Sequence, residues 1–148
     1  MKILLDTDML IYFLKGHEGI IEHISQFNEN EMHTSIINHS ELLFGAFNSS
    51  KKKYILKKIT SFLECIRILP FCEAASLLFA EQKALLKKQG QPLADLDLMI
   101  ACIAIQNKCT LITNNMRHFS RVKDLKIENW ILPNVYEPRS RDIQKSKS

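Results

Sequence analysis

An α/β fold with a mostly parallel sheet is predicted for this 148-residue chain by three observations. Strand-length apolar runs alternate with stretches of helical period from one end to the other. No internal repeat, low-complexity linker or composition break interrupts that alternation before the last residues. At 46% hydrophobic and 24% charged residues the composition is that of a folded domain, and the length suffices for one ordinary core.

The elements follow in order. Residues 2–6 (KILLD) read as the first strand, followed by helices over 8–14 and 18–27. MHTSI (32–36) reads as a strand and NHSELLFGAF (38–47) as a helix, with Asn38 and Glu41 at capping-box spacing. A second helix spans 51–63, and CIRIL (65–69) is a strand. EAASLLFAEQKALLKKQ (73–89) is a long amphipathic helix that Gly90 stops, with Pro92 beyond it. A helix over 95–107 precedes the strand CTLIT (109–113), the helical turn NMRHF and a last short strand, LKIEN (125–129). One domain is expected over 1–132, with a basic tail over 133–148.

Several classes are excluded or weakened. No apolar run approaches the roughly 18 residues of a membrane span. Asp6 and Asp8 interrupt any signal-peptide core, so the chain is expected in the cytoplasm, away from membranes. Cys65, Cys72, Cys102 and Cys109 lack zinc or disulfide spacing and read as four buried, reduced thiols. The tail RSRDIQKSKS holds four basic residues and one acid, so it supplies most of the net charge of +4. A second cluster, KKKYILKK, places five lysines within 51–58. Both suit a polyanion, and both suit a solvated surface.

The acids say more. In open parallel sheets, ligands bind outside the carboxyl ends of the strands. Asp6 ends the first strand, and Thr113, Asn114 and Asn115 end the strand 109–113. Glu41 lies about one turn into the helix that leaves the second strand, and Asp97 lies in the first turn of the helix before 109–113. Three acids and an Asn-Asn pair are therefore expected to converge. Each has an ordinary alternative. Asp6 suits a helix cap, Glu41 a capping box, Asp95 and Asp97 a helix start, and Asn115 a turn. Of the last two acids, Asp95 is the one assigned to capping.

Packed together, such carboxylates raise one another's pKa values, and a divalent cation relieves the repulsion. Oxygen-only ligands point to Mg²⁺ or Mn²⁺. The histidines at 17, 23, 33, 39 and 118 show no zinc spacing; His39 and His118 fall near the expected site in supporting roles.

The stretches LLDTDMLIYFL, SIINHSELLFGA and GQPLADLDLMIACIAIQNKCTLITNNMRHFSRVKDLKIENW together resemble the PIN domain, in particular VapC toxins of bacterial type II toxin–antitoxin pairs. The resemblance spans nearly the whole chain to Trp130, with separate motifs in the right order. It implies a three-layer α/β/α fold with a central sheet of four to five strands. It also implies an endoribonuclease dependent on Mg²⁺ or Mn²⁺. The family's first acid falls on Asp6, its Glu on Glu41 and its third acid on Asp97, through the D-x-x-I-A register of DLMIA. Asp95 occupies a more variable position, and the fourth acidic position falls on Asn115. Asp8 stands where such proteins usually have Asn.

On this resemblance Asp6 and Asp97 are the main metal ligands, and Glu41 binds through water or orients the attacking water. Thr113 and Asn115 support the ligands or the scissile phosphate, and Thr7 and Ser40 donate to the acids. Lysines 51–53 and Arg117 are candidate phosphate contacts. Expected partners are RNA, a VapB-like antitoxin docking on helices 8–14 and 38–63, and a second copy of the chain.

Three rivals fit less well. DTDML matches the D-x-D motif of haloacid-dehalogenase-like phosphatases, but Leu10 stands where Thr or Val is needed and no lysine motif follows. A receiver domain needs an acid at the end of its third strand, and IRILPF has none. A non-catalytic PIN-like RNA-binding scaffold would have lost acids that this chain keeps.

Overall fold

A computed structural model describes residues 1–131. The basic tail expected over 133–148 lies outside the described residues. The elements are β1 (Ile3–Leu5), α1 (Thr7–Leu14), α2 (Glu18–Ser25), β2 (Met32–Ser35), α3 (Ile36–Phe47) and α4 (Lys52–Leu63). They continue with β3 (Arg67–Leu69), α5 (Glu73–Lys88), α6 (Asp95–Gln106), β4 (Thr110–Ile112), α7 (Met116–Phe119) and β5 (Ile127–Glu128). The order matches the sequence expectation element for element.

The five strands are all parallel and lie in the order β3-β2-β1-β4-β5. β1 is central, and Ile3, Leu4 and Leu5 are wholly buried. That is why its sequence reads as an unbroken apolar run rather than an alternating one. Successive side chains leave opposite faces. Ile3 and Leu5 join Met9, Leu10, Ile20, Leu42 and Phe62 on one side. Leu4 joins Ala75, Leu86, Leu98, Ile100 and Leu111 on the other. Helices α1–α4 thus cover one face, α5 and α6 the other, giving three layers. Each fully buried aliphatic side chain contributes about 1.5–3 kcal/mol to this arrangement.

The strand order also fixes where a site can form. The chain moves outward from β1 through β2 to β3, then returns to the other side of β1 for β4 and β5. The crevice of such a sheet opens where that direction reverses, between β1 and β4. Leu5 pairs with Ile112, and Asp6 N–H donates to Ile112 O at 3.0 Å. Asp6 and Thr113 therefore emerge side by side.

Local chemistry sets the helix ends. Asp6 is the extended N-cap of α1 and accepts from Thr7 N–H. Helix α3 begins two residues before its expected start, because Ser35 is the N-cap and its capping box closes with Asn38 rather than from Asn38 to Glu41. That correction leaves Glu41 outside any cap. Helix α5 ends as expected: Gly90 takes φ +68°, and Gln91 N–H returns to Leu86 O at 2.9 Å. A side chain at Gly90 would be strained in that left-handed conformation.

The cysteine expectation is half right. All four are free thiols, and Cys102 and Cys109 are buried, but Cys65 is exposed just past α4 and Cys72 is half-buried. Burial pushes the Cys102 thiol up to about 11. No helix among the described residues is long and apolar enough to cross a membrane.

Candidate active site

At the carboxyl end of β1, three donors hold the buried carboxylate of Asp6. Oδ1 accepts from Thr7 N–H at 2.9 Å and from Asn38 Nδ2 at 2.9 Å; Oδ2 accepts from Thr113 Oγ1 at 2.6 Å. The donors arrive from α1, α3 and the end of β4, so one carboxylate joins three parts of the fold. Asn38 is fully buried, and Ser35 Oγ donates to its Oδ1 at 2.6 Å. That contact fixes the amide with its nitrogen towards Asp6 and towards Thr7 Oγ1, at 2.9 Å. The Thr7 hydroxyl in turn donates to Glu41 Oε1. Asp6 and Glu41 are thereby linked through Thr7 and Asn38.

Asp97 approaches from the first turn of α6, half-buried. Burial raises its pKa, the charges of Asp6 and Glu41 raise it further, and His118 partly offsets them. Two acids expected from separate parts of the chain thus act on the third. Asp97 makes no side-chain hydrogen bond among the described residues. None of Asp6, Glu41 and Asp97 has a Lys, Arg or His within ion-pair distance among the described residues; the pairs there are Met1–Glu31 and Lys83–Asp95.

Asp8 lies beside this cluster. Its Oδ1 accepts from Met9 N–H at 2.7 Å and its Oδ2 from Asn114 N–H at 3.0 Å. Burial and the neighbouring Asp6 charge push its carboxyl up to about 6, against the pull of those two N–H groups. Asp8 therefore ties α1 to the turn after β4, while Asp6 does the capping.

A hard cation fits these residues. The donors are all oxygens, and no basic side chain among the described residues forms an ion pair with them. Among the described residues no three His, Cys, Asp or Glu side chains are gathered tightly enough to enclose an ion. Mg²⁺ does not require that, since it keeps several waters and is held by one or two carboxylates.

The other expected residues divide. Thr113 is buried against Asp6, and its Oγ1 accepts from Asn115 N–H at 3.0 Å. Asn115 is bonded through Oδ1 to His118 Nδ1 at 2.6 Å. Asp95 is not brought to the cluster; it pairs with Lys83 on α5 at 3.0 Å, both side chains exposed. Ser40 returns its hydroxyl to Ile36 O, one turn back in its own helix. Asn38 is a site residue that sequence reasoning assigned only to a cap. Its position three residues before Glu41, on the same face of a helix, was the available signal.

Beside the acids runs a groove lined by Thr7, Asp8, Ile11, Ile37, Ser40, Glu41, Phe44 and Leu96. Phe44 is 70% exposed and Leu96 50%.

A parallel five-stranded sheet with an acid cluster at its β1/β4 crevice is the framework of a known class. The PIN domain model matches residues 3–125, and the chain belongs to the PIN-domain family. Within that family it is similar to VapC ribonucleases. It is 36% identical over 132 residues to Ribonuclease VapC1 of Haemophilus influenzae strain R2866, covering 88% of this chain and 98% of that one. It is 32% identical to the tRNA(fMet)-specific endonuclease VapC of Shigella flexneri, covering 88% and 98%. Among solved structures it superposes on VapBC-1 of nontypeable Haemophilus influenzae with a TM-score of 0.79 at 34% identity, covering 88% and 98%. The Rickettsia felis VapBC2 complex with promoter DNA gives 0.83 at 29%, covering 88% and 100%.

Proposed function

We propose that this protein is the toxin of a type II toxin–antitoxin pair, an endoribonuclease that hydrolyses RNA phosphodiester bonds with Mg²⁺ or Mn²⁺ in the cytoplasm. The observation that carries this reading is the group of three carboxylates, Asp6 and Glu41 acting on Asp97 and none of them in an ion pair among the described residues, at the point where the strand order reverses. The names of the relatives support it.

Hydrolysis at phosphorus needs an activated water, neutralised charge and a stabilised leaving oxygen. A bound Mg²⁺ or Mn²⁺ supplies Lewis acidity and a more acidic water. Asp6 and Asp97 are assigned to hold the ion. Asp6 enters that role already oriented by Thr7, Asn38 and Thr113, so little reorganisation is left for the reaction. Glu41 has Oε1 occupied by Thr7 and is assigned to orient the attacking water with Oε2. Thr113 and Asn115 complete the wall on the β4 side. Arg117 and lysines 51–53 are exposed and suited to phosphates along the RNA.

The solved relatives are toxin–antitoxin complexes, which supports a VapB-like partner here. The apolar groove of Ile11, Ile37, Phe44 and Leu96 is the surface assigned to it, since a segment lying there would cover Glu41. A homodimer is part of the same reading.

The test is cleavage of RNA by purified protein with and without Mg²⁺, set against Asp6→Asn and Asp97→Asn. Metal-dependent cleavage lost in both variants supports the reading. RNA binding without cleavage under any divalent ion would favour a scaffold. Mapping the 5′ ends left after brief expression identifies the RNA target.

A further inference from the structure

Asn115 sits at the β4 side of the site with both its backbone and its side chain engaged. Its N–H donates to Thr113 Oγ1 at 3.0 Å, and that hydroxyl donates to Asp6 Oδ2 at 2.6 Å. The short helix α7 that follows is fixed by Phe119, which is buried in the core. One turn on from Asn115, His118 places Nδ1 2.6 Å from Asn115 Oδ1.

An amide oxygen can only accept, so in this arrangement His118 Nδ1 carries the hydrogen. The amide oxygen is then occupied, and Asn115 Nδ2 makes no hydrogen bond among the described residues. Two N–H groups remain for a ligand. Donors of that kind match phosphate oxygens, whose hydrogen bonds are strengthened by charge. An oxygen would instead have matched a cation. With its hydrogen on Nδ1, the imidazole holds the amide oxygen and leaves the amide nitrogen available.

We propose that His118 is a positioning residue that holds the Asn115 amide with its nitrogen available, so that Asn115 donates to a non-bridging phosphate oxygen of the RNA and is not a metal ligand. This rests on the ribonuclease reading above for the identity of the bound phosphate. In this role His118 acts through its contact with Asn115 Oδ1.

The variants are Asn115→Ala, His118→Ala, the double variant, and His118→Gln, whose amide can still donate to Asn115. Losing a donor aimed at transition-state charge is expected to lower kcat about a hundredfold in Asn115→Ala. Losing its orienting contact is expected to lower kcat about tenfold in His118→Ala. The double variant is expected to match Asn115→Ala alone, because the two act as one unit. His118→Gln is expected to recover most of the loss. The Mg²⁺ concentration for half-maximal rate is expected not to rise in any of them, since loss of His118 only removes positive charge from beside Asp97. Additive losses, full activity in His118→Ala, or a raised Mg²⁺ requirement would overturn the proposal.

A second readout works without turnover. In EDTA, the side-chain amide pair of Asn115, assigned by its loss in Asn115→Ala, is followed by ¹H–¹⁵N NMR. It is expected to shift on addition of a short RNA in the wild type and much less in His118→Ala. A pair that RNA leaves unmoved in EDTA, or that moves with Mg²⁺ alone once the EDTA is removed, refutes the donor role. A wild type that cleaves no RNA refutes the ribonuclease reading alone, and the amide pair still decides this one.

Discussion

Asp6 and Asp97 bring the same carboxylate to the same cluster from opposite kinds of support. Asp6 is buried, caps α1 and is gripped by groups from α1, α3 and the end of β4. Asp97 stands half-buried in the first turn of α6, with no side-chain hydrogen bond among the described residues and two acids acting on it. The first is part of how the fold is joined; the second is placed by the helix and left to its ligand. Orientation built in beforehand lowers the cost of catalysis, while an unpaired acid supplies the attraction for a cation. The pair thus separates two tasks that a single residue would have to compromise between.

The largest expected effect shows where this difference appears. Both Asp6→Asn and Asp97→Asn are expected to reduce metal-dependent RNA cleavage by about a thousandfold or more, the upper range for losing one preorganised charge contact. Their stabilities are expected to move apart. Asp6→Asn turns an acceptor into a donor facing Thr113 and is expected to cost about 1–3 kcal/mol in urea titrations. Asp97→Asn removes a repelled charge and is expected to leave stability unchanged or raised by about 0.5 kcal/mol. Mg²⁺ is expected to raise the Tm of the wild type and not of either variant, by the ordinary linkage of binding to folding. Equal destabilisation by the two substitutions would remove the distinction.

Asn38 sharpens the Asp6 side next. Asn38→Ala takes a donor from both Asp6 and Thr7 and leaves the Ser35 hydroxyl without its acceptor. Activity is expected to fall about 10- to 100-fold, as for other groups that orient a metal-holding carboxylate. A Ser35→Ala variant with a comparable loss would place the effect in the orientation of the amide. An Asn38→Ala variant with full kcat would show that Asp6 needs no such support.

Asn38 also marks the limit of what one sequence discloses. The order of elements and the parallel sheet were legible because an unbroken apolar run, a 3.6-residue stripe and a glycine stop each have a local cause. The convergence of Asp6, Glu41 and Asp97 was legible because strand ends in a parallel sheet share one edge. The partner of an amide was not. Asn38 and Glu41 have the spacing of a capping box, and only the start of α3 at Ile36 shows that the box belongs to Ser35. Asp95 and Asp97 likewise sit two residues apart in one helical turn, about 200° apart around the axis. Which of them faces the sheet depends on how α6 rolls against α5, and that is set by packing over the whole helix.

Asp8 offers a smaller effect, read in pH. Its folded pKa is raised to about 6 from an ordinary 3.8, so the folded state binds the proton more tightly than the unfolded one. The sign follows: stability is expected to fall as pH rises between those two values and to recover on acidification. Asp8→Asn is expected to flatten this part of the metal-free Tm profile between about pH 4 and 6, because it removes the group that titrates there. An unchanged slope would assign that proton uptake to another group.

The smallest expected effect concerns Asp95, and a near-null result is informative. Its carboxylate and the Lys83 ammonium are both more than half exposed. Such a pair contributes about 0–1 kcal/mol, screened by salt. Asp95→Asn is therefore expected to shift Tm by about 2 °C or less, and less still at high salt. Cleavage should remain within about twofold of the wild type, since the side chain is turned towards α5. A large loss of activity would mean that α6 rotates when the ion or the RNA binds and brings Asp95 round to the cluster. In that event Asp97, the acid with no side-chain hydrogen bond among the described residues, would be the residue that moves, and the division of labour between a fixed Asp6 and an adjustable α6 would be sharper than this arrangement displays.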